Sequence, residues 1–267
     1  MSGFLSHLNL EKLNLGLANR KTAASSSGNT SWVDENDGRI TYYLRPRARR
    51  IRIKMDAANR KVAVTVPGSA SKLKDAKRFV RDKYDWILVQ LEAFPPAQSF
   101  VDGGELLFLG EIYTLHSPGL RGRPKINQER KHLIIPAHPD TLEGRTKRFL
   151  IRTAREALSN CTHVHASALG KTVDKISVRD TSSRWGSCVS RKSGTHISYS
   201  WRLICAPPFV LDYVTAHECA HLVHPDHSKD FWKLCNELVD TVKPAENWLK
   251  KHGNKLHAVG ARDWSKV

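Results

Sequence analysis

The chain has 267 residues, of which 40% are hydrophobic and 26% charged, enough for one large or two small globular domains with a real core. No run of eighteen apolar residues occurs, so no membrane-spanning helix and no membrane partner are expected. The formal net charge of +17 is uneven, because residues 201–267 hold nine Lys/Arg against eight Asp/Glu and nearly all the excess lies in the first 200. Such an excess suits nucleic acid or a nucleotide bound through the basic N-terminal half, and equally a solvated surface.

Leucines at 5, 8, 10, 13, 15 and 17 are interrupted by Asn9, Glu11, Lys12 and Asn14, unlike the continuous apolar run of a secretion signal. Residues 1–37, with Ser25-Ser26-Ser27-Gly28, read as a flexible N-terminal extension. Period-two alternation at Ile40, Tyr42 and Leu44, at Ile51, Ile53 and Met55, and at Val62, Val64 and Val66 predicts half-buried strands of a small antiparallel sheet. Its outer face would carry Arg45, Arg47, Arg49, Arg50, Arg52 and Lys54. Ser69 or Ser71 should cap one helix, with an apolar stripe at Leu73, Ala76, Val80, Tyr84, Ile87 and Leu91. A hairpin turning near Gly110 and a short strand at Leu133–Ile135 complete a basic β-rich domain with one helix, residues 38–140.

Thr141 to Leu169 reads as a long helix closed by Gly170 in a left-handed cap. Ile176 and Val178 begin a strand running into Ser183, Arg184 and the segment Trp185-Gly186-Ser187-Cys188, and Ile197, Tyr199 and Trp201 alternate in another. Pro207-Pro208 opens a further helix, Phe231, Cys235, Leu238 and Val242 mark a stripe ending at Pro244, and a last helix covers Glu246 to His252 before Gly253. Residues 141–253 form the second domain, and 254–267 a C-terminal tail. The five cysteines, at 161, 188, 205, 219 and 235, are odd in number and form no C-x-x-C pair, which points to free thiols in a reducing compartment, the cytoplasm.

The chemistry concentrates in His217-Glu218-Cys219-Ala220-His221. Residues four apart share a helix face, so two imidazoles can meet one ion while Glu218 reaches a water there without ligating it. Alone, the pattern also occurs on ordinary amphipathic helices. A catalytic zinc site needs a third protein ligand, and His224 and His227 are both close. His224 would lie about 10 Å along the same helix from His217, and Pro225 disfavours helical geometry there. His227, returning after the turn, is the better ligand, ahead of Glu237 or Glu246 on the later helices. Cys188 has no cysteine neighbour to share a metal and reads as structural.

Several pieces occur in order: Arg184-Trp185-Gly186-Ser187-Cys188, Trp201-Arg202-Leu203-Ile204, Asp212-Tyr213-Val214, His217-Glu218-x-x-His221 and His227-Ser228-x-x-Phe231-Trp232. Together they resemble the YgjP-like metallopeptidase family, a zincin-type group related to the SprT-like metalloproteases. The resemblance covers roughly residues 38 to 253. It implies an α+β fold in which the β-rich domain precedes a zincin-like helix-and-sheet catalytic domain bearing H-E-x-x-H on a helix. It also implies one zinc ion on His217, His221 and His227, with Glu218 as general base, and a peptide or protein substrate. Arg184, Trp185, Ser187 and His224 are candidates for contacts to substrate or behind the ligands. The expected function is zinc-dependent hydrolysis, foremost of peptides. Its rivals are a metal-dependent nucleotide pyrophosphohydrolase and a nucleic-acid-associated binding protein with a structural zinc. The sequence departs from the family at Ser198-Tyr199-Ser200, where relatives commonly carry asparagine, and at Cys219, where leucine is usual.

Overall fold

The computed structural model describes residues 30–261 except 57–59, 120, 182–183 and 193, so the expected extension up to residue 29, Ser183 and the tail from 262 lie outside the described residues. It is mixed α+β, built from small sheets and helices, and the chain divides into two compact units at Pro95–Pro96. The expected domain boundary near 141 falls inside the second of them.

In the first unit, β1 (Ser31–Val33), β2 (Ile40–Arg45), β3 (Arg52–Asp56) and β4 (Lys61–Pro67) form a sheet in the order β1-β2-β4-β3. The expected antiparallel sheet is instead mixed, because β2 and β4 pair in parallel while the outer pairs are antiparallel. Alternation fixes which face a residue occupies and says nothing of strand direction. Register pairs Ile40 with Val62, Tyr42 with Val64 and Leu44 with Val66, giving one apolar face. β1 lies inside the stretch read as flexible; it pairs Trp32 with Tyr42 at the sheet edge.

The single helix expected over 69–92 is two, α1 (Leu73–Asp82) and α2 (Tyr84–Glu92). Lys83 breaks it: its backbone sits at φ −112°, ψ 10°, and its N–H turns to the Val80 carbonyl. Ala76, Val80, Ile87 and Leu91 still cover the Ile40, Tyr42 and Val62–Val66 face, so the buried stripe survives the break. On the other face Arg52 and Lys54 are exposed, and Arg47, Arg49 and Arg50 stand in the loop before β3 rather than along a strand.

The second unit contains a sheet ordered β5-β6-β8-β7, from β5 (Glu105–Phe108), β6 (Glu111–His116), β7 (Lys125–Asn127) and β8 (His132–Ile134). The β5–β6 turn places Leu109 at φ 52° and Gly110 at φ 81°, the left-handed pair a two-residue hairpin requires. This turn docks on residues 204–207. The N–H groups of Leu109 and Gly110 donate to the carbonyls of Ile204 and Cys205, and a Cβ on Gly110 would lie 2.7 Å from the Pro207 ring.

The long helix α3 (Pro139–Ala168) has Pro139 in its first turn and stops before Gly170, at φ 62°. It packs against α4 (Pro208–Ala220), which is buried on nearly all sides, as a helix apolar around its circumference should be. His165 and Asp212 join the two through a 2.7 Å contact. A second sheet, ordered β10-β11-β9, comprises β9 (Lys175–Arg179), β10 (Gly186–Arg191) and β11 (Gly194–Ser200). Trp201, expected at the end of a strand, begins a 3-10 turn instead.

After α4 come α5 (Lys229–Leu238) and α6 (Val242–Ala258). The expected stop at Gly253 is absent, and α6 runs through it. Gly253 serves close approach, since a Cβ there would lie 3.2 Å from the Trp185 ring. Pro244 sits within the first turn of α6, where its missing N–H costs nothing. Among the described residues no helix is long and apolar enough to cross a membrane, and all five cysteines are free thiols.

Candidate metal centre

The site forms where α4 ends. His217 and Glu218 lie in its last turn and His221 is its C-cap, with backbone angles of −66° and −11°. The helix ends one turn earlier than Pro225 alone suggests: the N–H of His224 returns to the Ala220 carbonyl and the chain reverses. Asp226 then accepts the Ser228 N–H at 3.2 Å, and the Ser228 hydroxyl caps α5 by accepting from Phe231 at 3.4 Å. His227 is fixed between these two turns and faces the end of α4.

The result is a convergence of three imidazoles. One ligand nitrogen from each of His217, His221 and His227 lies within 4.8 Å of the others, and the Nε2 atoms of His217 and His227 are 3.2 Å apart. Two nitrogens held at about 2.05 Å from one tetrahedral ion would be separated by about 3.3 Å, so this spacing fits a shared metal. The His221 Nδ1–H donates to the His224 carbonyl at 3.0 Å. A carbonyl can only accept, so that bond fixes the tautomer and frees Nε2 for an ion. The Tyr213 hydroxyl stands 3.5 Å from Nδ1 of His217. Phe231, fully buried, lies beneath all three rings with centroid distances of 4.6–4.9 Å. Trp232 closes one side at 5.8 Å from His217 and His227.

Electrostatically, the cluster favours neutral ligands. Burial, followed by the neighbouring imidazoles, pushes the His217 pKa down to about 4, and burial also lowers that of His221. Neutral imidazole is the form that donates a lone pair to a metal. Three nitrogen donors without a thiolate suit a divalent transition metal.

Glu218 is only 5% exposed, and burial raises its pKa to about 7 against the opposing pull of Arg184 and of the Cys188 N–H that its carboxylate accepts. It packs directly on β10. Gly186 opens that strand, and a Cβ there would fall 2.4 Å from Oε1 of Glu218. The strand position and the glycine were not visible as partners of Glu218 in the sequence; the adjacent Trp185-Gly186-Ser187-Cys188 motif was the only signal.

Arg184, Ser187 and Cys188 line a cavity of about 480 Å³ together with Glu218 and the three histidines. Burial raises the Cys188 thiol to about 11, so it stays protonated at neutral pH. Trp185 does not line this cavity; it stacks on His257 with ring centroids 4.5 Å apart. His224 contributes its carbonyl rather than its ring.

The family model for the YgjP-like metallopeptidase domain matches residues 49–252, most of the chain. The chain belongs to the YgjP-like metallopeptidase family. Membership supports a metal-dependent peptidase of the hydrolase class and a protein or peptide substrate. No curated protein and no solved structure matches the chain.

Proposed function

We propose that the protein is a zinc metallopeptidase in which His217, His221 and His227 hold one zinc ion and Glu218 is the general base. The observation that carries this reading is the convergence of three imidazole nitrogens at the end of a buried helix, beside a carboxylate that is buried yet opens on the same cavity. A zinc ion held by His217, His221 and His227 would supply Lewis acidity to a water and a substrate carbonyl.

The protein's own groups do the rest. Glu218, held by the Cys188 N–H, takes a proton from the attacking water and delivers it to the leaving amine nitrogen. His221 is oriented by the His224 carbonyl, and Phe231 keeps the far side of the imidazoles dry. Arg184 stands at the cavity with a positive charge, suited to a developing oxyanion or a substrate carboxylate. β10 is an edge strand, so outer backbone groups other than the Cys188 N–H, which Glu218 takes, could pair with an extended peptide. A helix bearing H-E-x-x-H beneath such a strand supports the zincin reading of this unit.

The test combines two variants. Glu218→Gln retains one metal per chain by elemental analysis and loses about 100-fold or more in peptide hydrolysis. His217→Ala loses stoichiometric metal. Full hydrolysis by Glu218→Gln refutes the base assignment, and unchanged metal in His217→Ala refutes the ligand assignment.

A further inference from the structure

The β9–β11 sheet has two unlike faces. Ile176, Val178, Cys188, Ile197 and Tyr199 turn inward and join the core of the second unit. The opposite face carries a row of hydroxyls straight across the sheet, since Ser187 pairs with Ser198 and Ser198 with Ser177. A parallel row runs Val189, His196, Lys175. Arg179 closes one end of β9, and Arg191 the end of β10.

This face lines a cavity of about 580 Å³, distinct from the metal cavity. Ser187 lines both, so the two adjoin across β10. Among the described residues Lys175, Arg179 and Arg191 have no ion-pair partner. Asp174, at one end, accepts the Thr195 N–H at 2.6 Å and keeps its charge, so the lining carries three cations against one carboxylate. The surplus of positive charge is felt by His196: burial lowers its pKa, and Lys175, Arg179 and Arg191 lower it further. Its Nε2 contacts the Ser177 hydroxyl at 2.9 Å, inside the hydroxyl row.

Uncompensated cations flanking a row of hydroxyls call for oxyanions. Nucleic acid is a poor match, because no Phe, Tyr or Trp side chain lines the face to stack a base, and its one ring, His196, is held by the Ser177 hydroxyl. A polypeptide fits better. Lys175 and Arg179 are four residues apart on one strand, about 13 Å at 3.3 Å per residue, the spacing of carboxylates four residues apart on another extended chain. We propose that this face binds an acidic segment of the substrate polypeptide flanking the bond cleaved at the metal centre. The proposal rests on the peptidase reading above and adds a substrate class to it: extended chains with Asp or Glu on one side of the scissile bond.

The experiment uses the full, metal-loaded chain carrying Glu218→Gln, with three fluorescent peptides of equal length and a common centre. One has Glu-rich, one neutral and one Lys-rich flanks, and anisotropy gives the affinities. The Glu-rich peptide binds at least 10-fold more tightly than the neutral one at low salt, and added salt narrows the gap. Adding Arg179→Glu and Arg191→Glu reverses the order in favour of the Lys-rich peptide. The milder Arg179→Gln and Arg191→Gln pair, which guards against misfolding, abolishes the preference. Equal binding of acidic and neutral peptides overturns the proposal, as does a preference untouched by either pair. Tighter binding of a single-stranded oligonucleotide of equal charge, lost in the same variants, also overturns it. Cleavage of the neutral peptide by the unmodified protein reports the peptidase reading separately. Should that cleavage be absent while acidic binding and its reversal persist, the peptidase reading fails and the acidic-chain site stands.

Discussion

Replacing Gly186 with alanine probes how Glu218, the proposed general base, is held. A Cβ at that position falls 2.4 Å from Oε1, 2.6 Å from Cγ and 2.7 Å from Cδ of Glu218. Carbon atoms of this kind do not approach below 3.0 Å, so the gap to be opened at Oε1 is at least 0.6 Å. The strand cannot easily retreat, because Gly186 pairs with the fully buried Tyr199. Glu218 must therefore withdraw from its position beside the Cys188 N–H. Misplacing a catalytic group by about 1 Å can cost about 100-fold in rate, so the expected fall in kcat for peptide hydrolysis is about 10- to 100-fold. Overpacking should also cost about 1–3 kcal/mol of stability.

Metal content should not change, because the three atoms nearest the new methyl group all belong to Glu218 and none to a proposed ligand. Steady-state kinetics, elemental analysis and thermal melting on one preparation separate these effects. Gly38→Ala is the control, since nothing lies within 4 Å of a Cβ there, and it should leave kcat unaltered. Parental kcat in Gly186→Ala, at full metal content, refutes the positioning of Glu218 by β10.

Two further measurements test the buried charges. Glu218 has a folded pKa of about 7 against an ordinary 4.5, so the contribution of its protonated form to stability is full below pH 4.5 and is lost as pH rises through 7. Comparing the metal-stripped protein with Glu218→Gln by denaturant unfolding should show the variant gaining up to about 3 kcal/mol relative to the parent between pH 4.5 and 7; a constant difference across that range contradicts the burial argument. Arg202 is 1% exposed, donates to the Val259 carbonyl at 3.0 Å and pairs with Asp180, so Arg202→Met should cost about 3 kcal/mol, and a loss under 1 kcal/mol would show that the pair is dispensable.

The parts of the site legible in the sequence are those governed by local geometry. His217 and His221 share a helix face by spacing alone, and a proline after His224 predicts that the chain has left the helix before His227, although it leaves one turn earlier. The His224 carbonyl that orients His221 was hidden, because a backbone group has no signature in side-chain identity. Apolar alternation located β2, β4, β9 and β11, yet it could not reveal the parallel pairing of β2 with β4 or place β10 at an edge, since both depend on how distant segments cross. The α1–α2 break at Lys83 was equally invisible, as the buried stripe keeps helical spacing across it.

Glycine was the most misleading letter. Gly253 reads as a helix stop, but it serves close approach to the Trp185 ring, as Gly186 does to the Glu218 carboxylate. The two contacts involve consecutive residues of one segment. Trp185 is clamped against α6 by Gly253 and His257, so the start of β10 is anchored from one side. Gly186 then admits the carboxylate from α4 on the other side, and Cys188 meets it with a backbone N–H. Ser187, between them, faces the metal cavity and the basic sheet face alike. The segment Trp185-Gly186-Ser187-Cys188 therefore acts through its backbone path more than through its side-chain chemistry: an anchor, a gap, a shared wall and a donor in four successive positions. Such a segment constrains Glu218 from outside α4, which is why the helix motif alone could not specify where its carboxylate points.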